Sequence, residues 1–177
     1  MFNQILNNRT LLVFIIPLLL GLLSVLSFQP FNITLVNFLI IPIFFLILSD
    51  INKRSKNKYR KKPYLKNLFF AGYFFGIGFF LSGTYWISYS LTFDENLKIL
   101  IPFSIMLIPL SLGLFFGLAS LFGGPFIKNN YPSFFFFCFI FSFIDYLRGN
   151  ILSGFPWNLW SYSWSWLVEI IQVLNPL

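Results

Sequence analysis

Five apolar stretches, each long enough to cross a bilayer, follow one another with short polar breaks between them. That succession constrains the chain more than any motif in it. A spanning helix needs about 20 apolar residues, because the hydrocarbon core is ~30 Å thick and a helix rises ~1.5 Å per residue. In hydrocarbon each backbone polar group must find its partner within the protein, so open runs of this kind fold as helices. The predicted class is all-α: a polytopic integral membrane bundle of five spans plus the start of a sixth. Composition agrees, since only 10% of the 177 residues are charged, against roughly 25% in soluble domains. Too little polar surface is available to face water.

The spans are predicted at about 10–28, 31–49, 68–93, 99–122 and 133–152. The first carries Pro17 and Gly21 inside it. A secretory signal is the alternative there, but the run is long and no small-residue cleavage site follows. Gln29-Pro30-Phe31 reads as a tight turn, because the residue before a proline is pushed out of the helical region. In the third span Gly72 and Gly76 form a small-xxx-small pair, with Gly83 one heptad beyond Gly76. In the fourth, Gly113 and Gly117 repeat that spacing, and Pro102 and Pro109 predict kinks. Small residues so spaced let another helix approach closely. A polar-aromatic segment at 154–166 follows the fifth span. The closing run Leu167–Leu174 is too short to span, and reads as the approach to a sixth helix cut off at Leu177.

The formal net charge is +7, yet eight of the twelve basic residues lie between Lys53 and Lys66. A basic block between two spans predicts a cytoplasmic loop under the positive-inside bias, with contact to anionic head groups as an addition. The placement argues against nucleic acid as a partner. The N-terminus is then cytoplasmic. The Asp94–Lys98 turn falls outside, the Lys128 loop inside, and the fifth span leaves on the outer face.

Candidate chemistry is concentrated after that span. Asp145 and Arg148 stand three apart and share a helix face. The pair reads either as a salt-bridged helix end at the head groups or as a functional site, in which Arg148 grips a lipid phosphate or holds another domain. Gly154-Phe155-Pro156-Trp157 predicts a left-handed glycine and then an extended step. Trp157, Trp160 and Trp164 recur at i, i+3, i+7, which on a helix lying in the interface places them on one side. They read as an aromatic belt or as the wall of a lipid entry site. The chain has one cysteine and no histidine, so no disulfide within the chain and no His/Cys metal set is predicted. Cys138 sits among phenylalanines, where a thiol is a poor nucleophile. No catalytic residue, cofactor or metal ligand is assigned.

Asp145-Tyr146-Leu147-Arg148-Gly149, a short spacer, Ser153-Gly154-Phe155-Pro156-Trp157 and then Ser161-Tyr162-Ser163 resemble a signature of bacterial apolipoprotein N-acyltransferases. That signature runs roughly E-W-L-R-G, spacer, T-G-F-P-W, then G-Y. Gly76 to Ile87, with its Tyr85-Trp86, is similar to the family's third-helix motif, and Phe28-Gln29-Pro30-Phe31 more loosely to its first turn. Asp145 replaces the usual Glu, Tyr146 the Trp and Ser161 the Gly. The resemblance covers essentially the whole chain.

The resemblance implies a bacterial inner-membrane location and a phospholipid acyl donor. The acceptor it implies is the N-terminal amine of a diacylglyceryl-cysteine lipoprotein. It further implies that a Glu-Lys-Cys triad in a nitrilase-like domain, following the helices in sequence, carries the reaction. The 177 residues are thus expected to be the N-terminal transmembrane domain, inactive as an isolated fragment. Trp86, Asp145, Arg148, Phe155, Pro156 and Trp157 are the candidates for contact with substrate or lipid. The alternatives are a non-catalytic scaffold or split subunit, and the membrane region of a polyprenol-phosphate mannosyltransferase. A small transporter is disfavoured by the lack of mid-span charges and of an internal repeat.

Overall fold

The computed structural model describes residues 8–57, 63–151, 154 and 156–174. Among the described residues the regular structure is helical. A π-helical turn, Leu11–Ile15, leads into α1 (Ile16–Ser24), which tightens to a 3-10 turn at Val25–Ser27. Then come α2 (Asn37–Asn57), α3 (Pro63–Thr84), α4 (Ile101–Gly123), α5 (Tyr131–Asn150) and the short α6 (Val168–Leu174). Four helical stretches, Thr34–Arg54, Tyr64–Phe93, Glu95–Phe126 and Tyr131–Asn150, are long and apolar enough to cross a membrane. Leu11–Ser27 is a shorter apolar helix, at the lower end of the ~17–25 residues that span. The chain is an all-α, multi-pass membrane protein.

Several boundaries differ from the sequence reading, each for a local reason. The second helix was expected from residue 31, but 28–33 form a turn. Phe31 and Asn32 both donate their N–H to the Phe28 carbonyl, the Gln29–Pro30 bond is cis, and Asn32 is left-handed at φ 55°. The same helix runs past the expected loop start at Asp50 to Asn57. Arg54 pairs with Asp50 at 2.6 Å, one turn back, and the buried Asn52 donates to the carbonyls of Pro125 and Ile127. The third span is α-helical only to Thr84 and continues as a 3-10 helix over Tyr85–Phe93. There the hydroxyls of Ser88, Ser90 and Thr92 each bond the carbonyl three residues back, a local pairing that competes with the regular ladder. Pro109 lies inside an uninterrupted α4.

The glycine spacing does what it predicts between α3 and α4. A Cβ on Gly72 would strike the Phe116 carbonyl and the Ser120 hydroxyl, and one on Gly76 would meet Gly113. A second crossing was not foreseen. Gly21 of α1 lies directly against the Phe75 carbonyl and Phe79 amide of α3, and Gly78 against the Leu18 carbonyl. Helix α3 therefore packs backbone to backbone with neighbours on two sides, an arrangement that depends on small residues where van der Waals contact drives association. Aromatic rings fill the remaining space. Phe44 of α2 stacks on Phe75 at 4.2 Å, and Phe137 meets Phe141 on α5 at 4.5 Å.

The two ends of the bundle differ in chemistry. At one end Arg9 donates to Asn67 at 2.9 Å and Asn52 holds the turn after α4. Lys53, Arg54, Lys66 and Lys128 are exposed near the same helix ends. At the other end Thr34 donates to the Ser163 carbonyl at 2.8 Å, and the chain between α5 and α6 folds back over α2 and α3.

Candidate functional site

The candidate site is built where α5 ends. Asp145 and Arg148 occupy its last turns, and both are buried, at 6% and 1% exposure. A cation in the last turn complements the negative end of the helix dipole, but burial makes the pair costly unless its remaining bonding capacity is used. Here it is used on the loop that follows. Arg148 Nη2 donates to Asp145 Oδ1 at 2.7 Å and Nε to the same oxygen at 3.2 Å. Nη1 donates to the Trp157 carbonyl at 2.9 Å and Nη2 to the Asn158 carbonyl at 3.3 Å. The other carboxylate oxygen of Asp145 accepts the Trp160 N–H at 2.9 Å. The guanidinium also lies over the Phe80 ring, 4.9 Å from its centroid, within the range of a cation–π contact.

This clamp shapes the chain after the helix. Gly154 takes the left-handed conformation predicted for it, at φ 72°, and a Cβ there would press on the Gly149 carbonyl. Asn158 is also left-handed, at φ 54°, a conformation Asn tolerates better than most residues. The chain reverses there, with successive carbonyls turned toward Arg148. Gly83, expected to face another helix, instead receives Asn158, whose side-chain amide occupies the space a Cβ would need.

The tryptophans do not share one side. The segment 160–164 is a 3-10 helix, with about 120° per residue in place of 100°, and its first amide is fixed on Asp145. Trp160 is driven inward, its ring nearly parallel to Phe79 at 5.1 Å. Trp164 lies edge-on to Phe38 of α2 at 6.1 Å. Trp166 Nε1 donates to Thr34 Oγ1 at 2.8 Å. Trp157 turns outward to meet Trp86, at 5.3 Å with planes 79° apart, while Trp86 Nε1 donates to the Gly83 carbonyl.

Of the predicted site residues, Asp145, Arg148, Trp157 and Trp86 are thus brought together, and Pro156 is exposed beside them. Phe155 lies outside the described residues. Sequence reasoning missed Phe80, Thr34 and Asn158. Thr34, a hydroxyl at the start of an apolar run, was the one with a visible signal. Among the described residues no group of three or more His, Cys, Asp or Glu could hold a metal ion. A buried ion pair holds a loop, and the loop sets its half-exposed Trp157 against the half-exposed Trp86 of the 3-10 segment after α3.

Fold and site define a multi-pass helical membrane domain with a clamped aromatic pair, Trp86 and Trp157, at the end opposite Lys53, Arg54, Lys66 and Lys128. Residues 20–176 match the family model for the apolipoprotein N-acyltransferase N-terminal domain, and the chain belongs to that family. It is 36% identical over 163 residues to the apolipoprotein N-acyltransferase of Rickettsia prowazekii, covering 91% of this chain and 30% of that one. With the Rhodopseudomonas palustris protein of the same name it shares 32% identity over 154 residues, 84% of this chain and 27% of the other. The Rickettsia bellii apolipoprotein N-acyltransferase is 36% identical over 101 residues, 56% of this chain and 20% of the relative. The chain spans less than a third of the length of these relatives.

Proposed function

We propose that the chain is the membrane portion of a phospholipid:apolipoprotein N-acyltransferase, which moves an acyl chain onto the N-terminal diacylglyceryl-cysteine of a lipoprotein. The observation that carries this reading is the Asp145–Arg148 clamp, which spends a buried ion pair on fixing Trp157 against Trp86 at one rim. A helix end merely anchored at the head groups needs no such pairing. The rim is suited to the lipid and lipoprotein partners and to docking of a nitrilase-like domain that performs the transfer. The 177 residues alone transfer no acyl group, because the single thiol, Cys138, is half-buried among phenylalanines.

We place the chain in the bacterial inner membrane with its N-terminus cytoplasmic. The support is the gathering of Arg9, Lys53, Arg54, Lys66 and Lys128 at one end of the bundle, the charge bias of cytoplasmic loops. In a Cys138→Ala background, Glu95→Cys should react with an impermeant maleimide from outside and Lys128→Cys should be protected. The reverse pattern overturns the orientation.

The activity is tested by joining residues 1–177 to the C-terminal remainder of the Rickettsia prowazekii relative. The chimera is expressed in cells depleted of their own enzyme, and lipoprotein N-termini are read by mass spectrometry. The chimera should restore the N-acylated form, and residues 1–177 alone should not. An abundant, inserted but inactive chimera, beside an active full-length relative, refutes the reading.

A further inference from the structure

We propose that a cleft between α2 and α5 holds the terminal segment of a phospholipid acyl tail, entering sideways from the bilayer. The proposal rests on the membrane assignment and is independent of the acyl-transfer reading. The cleft is a cavity of about 110 Å³. Its floor is the buried aromatic set Phe44, Phe75, Phe137 and Phe141. Its rim is Ile41 on one helix and Cys138 with Ser142 on the other, and Ser142 is exposed on the outer surface of α5. The ring of Trp160 closes one side.

Three features decide the occupant. The first is chemistry. A buried water needs two to four polar partners, and apolar cavities of roughly 150 Å³ stay dry while accepting small hydrocarbons. These walls are almost wholly aromatic and aliphatic. The second is size. A helix is about 10 Å across, too wide for this cavity, whereas a chain of a few methylenes fits. The third is depth. Helix α5 runs from Tyr131 to Asn150, so the rim residues Cys138 and Ser142 flank its midpoint. In a bilayer that depth holds the ends of the acyl chains. An empty void would forfeit the dispersion contacts of its lining, and hydrocarbon is the solvent at its mouth.

The test uses the chain in vesicles of phosphatidylethanolamine and phosphatidylglycerol. A trace of phosphatidylethanolamine carries a diazirine at its acyl terminus, and adducts are mapped by mass spectrometry after illumination. Adducts are expected on Phe44, Phe137 or Cys138, besides those on Phe135 and Phe139, which are exposed on the outer face of α5. Cys138→Phe fills the cleft and should abolish the adducts at Phe44 and Phe137 while leaving Phe139 labelled. Ile41→Phe fills it from the opposite helix and serves if the first variant does not fold. Adducts confined to Phe135 and Phe139, or cleft adducts that survive filling, overturn the proposal. So does equal cleft labelling from a lipid whose diazirine is in the head group.

Discussion

Replacing Arg148 by lysine keeps the charge and removes the fork. Arginine reaches Asp145 and two loop carbonyls at once because its nitrogens are held in one plane. A lysine ammonium is a single nitrogen, and the Asp145 carboxylate is its strongest partner. The carbonyls of Trp157 and Asn158 are then left without their cation. Each hydrogen bond from a charged donor contributes about 1.5–3 kcal/mol net, so losing two loosens the loop by about 3 kcal/mol or more. At about 1.4 kcal/mol per tenfold, the loop's open fraction rises roughly 100-fold. The reporter is the Trp160 amide, which bonds Asp145 Oδ2. Its hydrogen exchange in lipid nanodiscs should accelerate by about that factor, while amides inside α4 exchange as before. In the chimera described above the same variant should lose most acylation at normal abundance. Unchanged Trp160 exchange in Arg148→Lys would show that the charge alone holds the loop, and full activity would reduce the residue to an anchor.

Three further substitutions probe the packing and the hydrogen bonds that hold the loop. Gly72→Val drives a side chain into the Phe116 carbonyl and should cost about 1–3 kcal/mol or more, read as a lower thermal midpoint in detergent. Gly149→Ala has its nearest neighbours at 3.8 Å and lies in the last turn of α5, so it should be neutral or stabilise by less than the ~1 kcal/mol of a helix-interior site. Thr34→Val deletes a hydroxyl that donates to Ser163 and accepts from Trp166. A loss of about 1–3 kcal/mol is expected, with faster exchange confined to 160–166 and wild-type exchange in α4.

The helices were legible in the sequence because hydrocarbon leaves the backbone one way to satisfy itself. The α3–α4 contact was legible because Gly72, Gly76, Gly113 and Gly117 mark faces at a fixed period. The α1–α3 contact was not, since Gly21 and Gly78 are single residues whose register only the packed helices reveal. The pairing of Asp145 with Arg148 followed from spacing. What the pair is for did not, because the partners of Arg148 are backbone carbonyls, and carbonyls have no residue signature. The tryptophans misled for a related reason. A helical wheel assumes 100° per residue and a free axis, whereas 160–164 is wound more tightly and pinned at Trp160. Trp86 and Trp157, 71 positions apart in sequence, meet where Arg148 holds the Trp157 carbonyl and Gly83 leaves room for Asn158.

Asp145→Asn separates the two duties of the carboxylate. Both of its oxygens accept: Oδ1 from Arg148 and Oδ2 from the Trp160 amide. An asparagine has nearly the same shape but one acceptor and one donor. In one orientation its NH₂ faces the guanidinium, and in the other it faces the Trp160 N–H. Either way a donor meets a donor in a buried setting, and Arg148 loses its counter-charge. Removing one partner of a buried ion pair typically costs about 3–5 kcal/mol, so this near-isosteric change should destabilise more than Arg148→Lys. Asp145→Glu keeps both acceptors on a side chain one methylene longer and should retain most stability. The order expected in thermal midpoint is wild type, Asp145→Glu, Arg148→Lys, then Asp145→Asn. If Asp145→Asn matched wild type, the carboxylate charge would be irrelevant to the clamp. Loop attachment would then rest on the Arg148 bonds to the two carbonyls alone.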